Sequence, residues 1–552
     1  MTLSQRLSIL VRVACGALVW VGLTSSAQAS TPTAAPPLEA DVANLSSSDS
    51  AVVGAAIERM SGAADLRALP ILEALDDGKL RIDSNGHPFI SKDGKMTDAL
   101  GGNGGEATSP SGALVTPEVD NTIRRSLGPA LAALQLTSPD PKVRLNAAQE
   151  LAKRQSEEGV TLLRAALERE KDGTVKPAIE LALAEVELDS KDANRRLAAI
   201  EVIGKSGEVS YKSSLERMVA RDEAGKFAEP DARVRAAAKT ALSSIDSRIL
   251  FINSLGNMFY GISLGSVLLL ASLGLAITFG LMRVINMAHG EMLMLGAYTT
   301  YSVQTFFHAH LAGAIGWYLI AAIPCAFLVT MLVGMALERT VIRHLYGRPL
   351  ETLLATWGIS LILIQMVRMV YGAQNVTVEN PSWLAGGAEV LPGLVLTYSR
   401  LAVIGFSVAT MAFTWLVMNK TKLGLELRAV TQNREMAAAI GIATRRVDLF
   451  TFGIGSGIAG LGGVALSQLG NVGPELGQTY IVDAFMVVVL GGVGKFAGTI
   501  VGAFGLGIAN KLLEPAAGAV LGKIIILGFI ILFVQKRPQG IFAMKGRAAE
   551  AM

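Results

Sequence analysis

With 552 residues, 51% of them hydrophobic, and a net charge of only +3, the chain is too long and too apolar for one soluble domain. It also lacks the basic excess that a nucleic-acid partner requires. Charge is unevenly spread: residues 249–552 hold 31 of the 95 Asp, Glu, Lys and Arg residues, which divides the chain into a soluble first half and a membrane second half.

The first 29 residues read as a secretory signal. Arg6 and Arg12 precede an apolar core from Val13 to Leu23, and Ala27-Gln28-Ala29 is a small-residue cleavage site. An eleven-residue core is too short to cross a hydrocarbon layer of ~30 Å at 1.5 Å per helical residue. Of the two cysteines, Cys15 lies in this signal and Cys325 in a hydrophobic run, so no disulfide, zinc site or thiol chemistry is expected of the exported part.

Residues 30–119 read as a linker and a small N-terminal helical and hairpin region. The stretch 30–50 is rich in Ser, Ala and Pro. Helical patterns follow at Val52–Met60 and Ala64–Leu75, then turn signals at Ser84-Asn85-Gly86 and Lys92-Asp93-Gly94-Lys95 that imply a hairpin. Residues 120–245 are helix-forming and repeat themselves. Asp140-Pro141-Lys142-Val143-Arg144, followed by Ala147-Ala148 and Leu151, is echoed by Pro230-Asp231-Ala232-Arg233-Val234-Arg235, followed by Ala236-Ala237 and Leu242. Weaker echoes stand at Asp172–Val175 and Asp192–Arg196. The pattern resembles HEAT-like helical repeats, in which small alanines let paired helices stack closely; an alanine-rich helical bundle fits the same composition. Either way it reads as a docking module without catalytic residues.

The second half reads as membrane. Ile249–Met282 and Met292–Leu337 contain no Asp, Glu, Lys or Arg, enough for one span and for two spans bent near Gly313–Gly316. Further candidates are Thr352–Tyr371, Leu401–Asn419, Leu449–Gly470, Ala484–Gly494, Phe496–Asn510 and Ile524–Gln535, some short enough to be broken or re-entrant. The expected fold is therefore all-α: a polytopic membrane helical bundle of eight or nine hydrophobic segments, preceded by a periplasmic α-helical, HEAT-like repeat domain. Lys and Arg cluster at 339–348, 420–446 and 536–547, whereas the loops around 372–399 and 471–480 carry Glu379, Glu389 and Glu475 and no basic residue. The basic loops are thus expected on the cytoplasmic side.

Two stretches carry candidate function. Arg283, Asn286, His289 and Glu291 fall at the junction of two spans, where polar groups are costly unless they line a pathway or pair. Arg283 fits a topology marker paired with Glu291 equally well. A metal or catalytic reading of His289 and Glu291 fails for want of a third ligand or a nucleophile. The basic loop Gly424–Ile442 should form a short amphipathic helix with Ala437, Ala438 and Ala439, ended by Gly441, able to seat in a partner's groove. A connecting loop held inside by its charge is the plainer account. Gly453–Gly463 and Gly491–Lys495 lack the context of nucleotide-binding loops and are better explained by close helix packing. The chain has no ATPase motif, so energy, if used, must come from another chain.

At these residues residues 251–545 resemble the permease subunits of branched-chain amino acid and urea ABC importers. The matching motifs are Val284-Ile-Asn-Met-Ala-His-Gly-Glu291, Gly424–Ile442, Ala484–Gly502 around Leu-Gly-Gly-Val-Gly, and Pro538-Gln-Gly-Ile541. The resemblance implies a transmembrane ABC permease domain at 249–540 and a cytoplasmic tail at 541–552. It also implies that the loop couples to the ATPase through Gly424, Arg428, Asn433, Arg434, Glu435, Ala438, Gly441 and Ile442. The loop has Glu435-Met-Ala437 where other importers have Glu-Ala-Ala. Asn286, His289 and Glu291 become candidates for the substrate pathway. The implied partners are a second homologous permease, two cytoplasmic ATP-binding subunits, a periplasmic substrate-binding protein and the lipid bilayer of the bacterial inner membrane, with no nucleic acid, cofactor, metal or enzymatic activity. A large exported N-terminal domain looks like the urea-type branch, with branched-chain or other amino acids as the alternative substrates.

Overall fold

A computed structural model describes residues 38–542 except 64, 93–94, 101–112, 155, 222–224 and 283. The expected signal, the first residues of the linker, Arg283 and most of the tail lie outside the described residues. The chain divides into two compact units, residues 1–245 and 246–552.

In the first unit, α1 (Leu38–Asn44), α2 (Ser50–Gly62) and α3 (Ala68–Asp76) lead into an antiparallel sheet of β1 (Leu80–Ile82), β2 (Pro88–Lys92) and β3 (Lys95–Asp98). Helix α1 corrects the linker expectation: Leu38, Val42 and Leu45, spaced for one helical face, are buried in the same apolar cluster as Val53, Ile57, Leu72 and Leu127. The all-α expectation is corrected here by three short strands rather than one hairpin.

Helices α4 (Asn121–Gln135), α5 (Pro141–Arg154), α6 (Glu157–Arg169), α7 (Val175–Glu187), α8 (Ala193–Ser206) and α9 (Lys212–Val219) follow, and α10 (Ala232–Met282) starts in this unit. The repeated Asp and Arg have a mechanical explanation. Asp140, Asp172, Asp192 and Asp231 each accept a hydrogen bond from the backbone N–H two residues on, which orders the first turn of α5, α7, α8 and α10. Four residues after the Asp, Arg144, Arg196 and Arg235 fold back onto the carbonyls of Ser138, Ser190 and Glu229 at 2.7–2.8 Å. Arg144 also pairs with Glu170 and Arg196 with Glu229, one repeat further along. Glu229 thus takes Arg196 on its side chain and Arg235 on its backbone, so neighbouring repeats share a residue.

The second unit is built from the remainder of α10 with α11 (His289–His310), α12 (Tyr318–Thr340), α13 (Pro349–Tyr371), α14 (Tyr398–Lys420), α15 (Lys422–Gln432), α16 (Arg434–Ala439), α17 (Thr444–Ser467), α18 (Leu476–Gly491) and α19 (Phe496–Lys536). A hairpin of β4 (Gly387–Leu391) and β5 (Leu394–Thr397) precedes α14. Among the described residues six helices are long and apolar enough to cross a membrane, and α18 is a shorter apolar helix. Helix α11 has the length but is diluted by His289, Glu291, Thr299, Thr300, Ser302, Gln304 and Thr305. The last two expected segments form one helix broken at Gly518, whose φ of 79° no other residue type adopts readily.

Helix α17 sits at the centre, buried along nearly its whole length from Val447 to Ser467. Glycine makes this possible. A Cβ at Gly455 would press on Gly274 of α10, one at Gly460 on Thr330 of α12, and one at Gly463 on the Leu293 carbonyl of α11. Lipid-facing side chains such as Leu332, Leu354, Met369 and Ile531 remain exposed at the periphery.

Two predictions follow from this packing and pairing. Gly460→Leu lowers the thermal unfolding midpoint of the detergent-purified chain, the insertion being worth about 1–3 kcal/mol or more; an unchanged midpoint contradicts the contact. In the first unit, the bonds from Arg144 hold the Glu170 carboxyl below its ordinary value. Burial opposes that effect at Glu229, and Arg196 outweighs it. Both groups therefore stabilise the fold above the ordinary glutamate value of 4.5, and that contribution is lost as pH falls through their lower folded values. Protection of α5–α8 amides from hydrogen exchange, taken relative to the intrinsic rate at each pH, falls below about pH 4.5, and Arg144→Ala flattens the dependence. Exchange equally protected at pH 3 and pH 7 contradicts it.

Candidate functional site

The junction between α10 and α11 is a short connection at 284–288 whose polar groups are turned inward. Asn286, His289 and Glu291 are all buried, at 2%, 0% and 1% exposure. Asn286 Oδ1 accepts from the Ala288 N–H at 3.0 Å, forming an Asx turn into α11. The preceding N–H, of Met287, donates to Thr356 Oγ1 on α13 at 3.1 Å. His289 Nε2 lies 3.0 Å from the Ala271 carbonyl of α10. A carbonyl can only accept, so Nε2 carries the hydrogen and Nδ1 of the neutral ring is left as an acceptor. Ser360 Oγ on α13 donates to Glu291 Oε1 at 2.8 Å.

Three atoms in this junction are buried without a hydrogen-bond partner: Asn286 Nδ2, His289 Nδ1 and Glu291 Oε2. They supply one donor and two acceptors on about one turn of chain. Backbone stands close beside it. Gly290 and Gly477 face each other so closely that a Cβ on either would lie 2.5 Å from the other's carbonyl oxygen, and one on Gly477 would also lie 2.7 Å from Glu291 Oε2. These unsatisfied polar atoms are costly in a closely packed helical bundle. The junction has no nucleophile–base pair, and among the described residues no group of three His, Cys, Asp or Glu is placed to hold a metal.

The loop after α14 forms two short helices where the sequence implied one. Asn433 breaks them apart and caps the second, its Oδ1 accepting from the Met436 N–H at 2.9 Å. Gly424 is buried against the Met418 carbonyl, where no larger residue fits, and Arg428 bonds the same carbonyl. Arg428, Asn433, Arg434, Glu435, Ala438 and Gly441 are solvent-exposed, and Ile442 is half-buried. Gly441 has a φ of 92°, so the chain turns there out of α16 toward α17. The junction and the loop are separate elements.

Several buried polar residues escaped the sequence reading. Thr356 and Ser360 sit inside an apolar helix, where hydroxyls are too common to stand out. Asp483 is buried on α18 and meets Lys523 of α19 at 3.3 Å. It lies one residue before the segment expected to start at Ala484, and a carboxylate beside an apolar run was the available signal. Asp448 was likewise passed over among the basic residues of its loop.

The second unit is thus a bundle of membrane-capable helices with a buried polar junction and a short, largely solvent-exposed helix pair. Residues 257–534 match the family described as the permease component of branched-chain amino acid transport systems. The chain is 30% identical over 297 residues to the high-affinity branched-chain amino acid transport system permease protein LivH of Escherichia coli (strain K12), covering 53% of this chain and 96% of that protein. It is 28% identical over 287 residues to the corresponding BraD of Pseudomonas aeruginosa, covering 51% and 93%. A shorter likeness, 28% over 132 residues, covers 23% of this chain and 41% of the ribose import permease protein RbsC of Bacillus subtilis. The chain belongs to the branched-chain amino acid transport permease family. Its homologues are transport permeases and not enzymes, and residues 1–256 lie outside the family match.

Ser360→Ala leaves both carboxylate oxygens of Glu291 unbonded. The expected result is a loss of about 1–3 kcal/mol in the stability of the membrane unit, read as a lower thermal midpoint in detergent. An unchanged midpoint means that Glu291 does not depend on this hydroxyl.

Proposed function

We propose that residues 249–540 are the substrate-translocating subunit of an ABC importer in the bacterial inner membrane, driven by separate ATP-binding subunits. The observation that carries the reading is the buried junction of Asn286, His289 and Glu291, whose unpartnered donor and acceptors lie close together in sequence inside a largely apolar bundle. The substrate pathway runs past these residues. A second homologous permease completes the channel, and a periplasmic binding protein delivers the solute. Gly424, Arg428, Asn433, Arg434, Glu435, Ala438, Gly441 and Ile442 form the loop that meets the ATPase; the exposure of Arg428, Asn433, Arg434, Glu435, Ala438 and Gly441 supports the reading, with Gly424 buried beneath them and Ile442 half-buried.

The names of the relatives support branched-chain amino acids as the substrate class. Urea is the second reading. The observation favouring it is the N-terminal unit of helical, HEAT-like repeats, which lies outside the family match although 96% of LivH is covered. With a cleaved signal and cytoplasmic basic loops, that unit stands in the periplasm and meets the binding protein or the companion permease.

Uptake of labelled leucine and labelled urea, in cells with and without this chain, separates the readings. Loss of leucine uptake alone supports the amino-acid reading, and loss of urea uptake alone supports the second. Loss of neither overturns both. Gly441→Leu and Glu435→Lys should abolish uptake with membrane insertion intact, and normal uptake by both removes the loop from the mechanism.

A further inference from the structure

Helix α16 has six residues and one buried side chain, Ala437, too little to hold its own place. Its position depends on anchors at its start. Arg434, its first residue, is half-exposed, yet its guanidinium meets both oxygens of Asp448, which is 2% exposed on the first turns of α17. The Nη1–Oδ1 bond is 3.3 Å. The same guanidinium lies over the ring of Tyr346, 5.2 Å from its centroid, in the turn that follows α12. Tyr346 packs against a cluster of Val284, Ile342 and Phe452. Phe452 is one helical turn from Asp448 on α17, and Val284 is two residues before Asn286.

We propose that the Arg434–Asp448 pair, seated on Tyr346, is the positioning contact through which displacement of α16 reaches α17 and the α10–α11 junction. The inference rests on the reading of the 424–442 loop as the ATPase-docking surface and deepens it. A buried carboxylate deprived of its partner is strongly unfavourable. Movement of Arg434 therefore either carries Asp448 and the start of α17 with it or exposes Asp448 to water. Because α17 is packed backbone to backbone against α10 and α11 through glycines, it shifts as a rigid element. Tyr346 supplies the second contact: the cation over its face is transmitted to Val284, and so to the chain carrying Asn286. Arg434 and Asp448 touch no substrate in this account; they position elements that do.

The test uses the assembled transporter, with its companion permease, ATPase subunits and binding protein, in membrane vesicles. Three quantities are read: co-purification of the ATPase, ATP hydrolysis, and uptake of the substrate identified in intact cells. For Asp448→Asn, uptake falls roughly tenfold or more while the ATPase still co-purifies and still hydrolyses ATP. Arg434→Lys, which keeps the charge, restores much of the uptake; Arg434→Gln does not. Tyr346→Phe transports normally, because the Tyr346 hydroxyl bonds nothing, and Tyr346→Ala is impaired. Should Asp448→Asn fail to accumulate, Arg434→Gln is read in its place. Near wild-type uptake in Asp448→Asn or Arg434→Gln overturns the proposal. Loss of ATPase co-purification in either also overturns it, since the pair then only builds the docking surface. The docking reading fails separately if Glu435→Lys keeps both co-purification and uptake.

Discussion

The membrane unit depends on one constraint: backbone must touch backbone across helix pairs that have no hydrophobic drive to associate in lipid. Gly274 against Gly455, Gly463 against Leu293, and Gly290 against Gly477 meet this constraint with no Cβ between them. Close approach brings carbonyls and Cα hydrogens into contact and raises the dispersion energy of the whole interface. It also fixes α17 at the centre, so that α10, α11 and α12 are registered against one another through it. The helices α13 and α14 carry large lipid-facing side chains and show no such glycine contacts, whereas the first half of α19 also meets α18 and α10 backbone to backbone through Gly498 and Gly507.

The polar junction is tolerable because of that same packing. Water cannot reach Asn286, His289 and Glu291 from the lipid face, and their bonds to Ala271, Ala288 and Ser360 compensate part of their desolvation. The unsatisfied remainder is an energetic cost held in place by rigid surroundings, a common property of functional sites. Gly477 leaves Glu291 Oε2 bordered by backbone instead of a side chain. A small displacement of α18 would therefore open the carboxylate to a solute.

Much of this was legible in the sequence because lipid and water impose opposite patterns. The apolar runs located α12, α13, α14 and α17 to within a few residues and the end of α10, whose start at Ala232 lies in the charged half, and the repeated Asp and Arg of the first half marked the helix starts that Asp140, Asp192 and Arg144 now explain. The junction at Asn286, His289 and Glu291 was visible as polarity in the wrong solvent. What was not legible depended on tertiary partners. Ser360 and Asp448 acquire meaning only from the residues facing them, Glu291 and Arg434. The break at Asn433 was hidden because helical residues flank it on both sides. The turn signals at 84–86 and 92–95 announced pairing at 80–98, though not its third strand, whereas the strands at 387–397 are too short to impose a period, and α1 looked like linker because it lies in a Ser-, Ala- and Pro-rich stretch.

The central claim is that a sealed polar junction inside a glycine-packed bundle becomes accessible during ATP-driven transport. The direct measurement is the labelling of Ser360→Cys, in a background lacking Cys15 and Cys325, by a water-soluble thiol reagent in vesicles holding the complete transporter. The account predicts negligible labelling at rest and rapid labelling while substrate, binding protein and ATP are all present. Labelling at the same rate with and without ATP, or none under either condition, would contradict it.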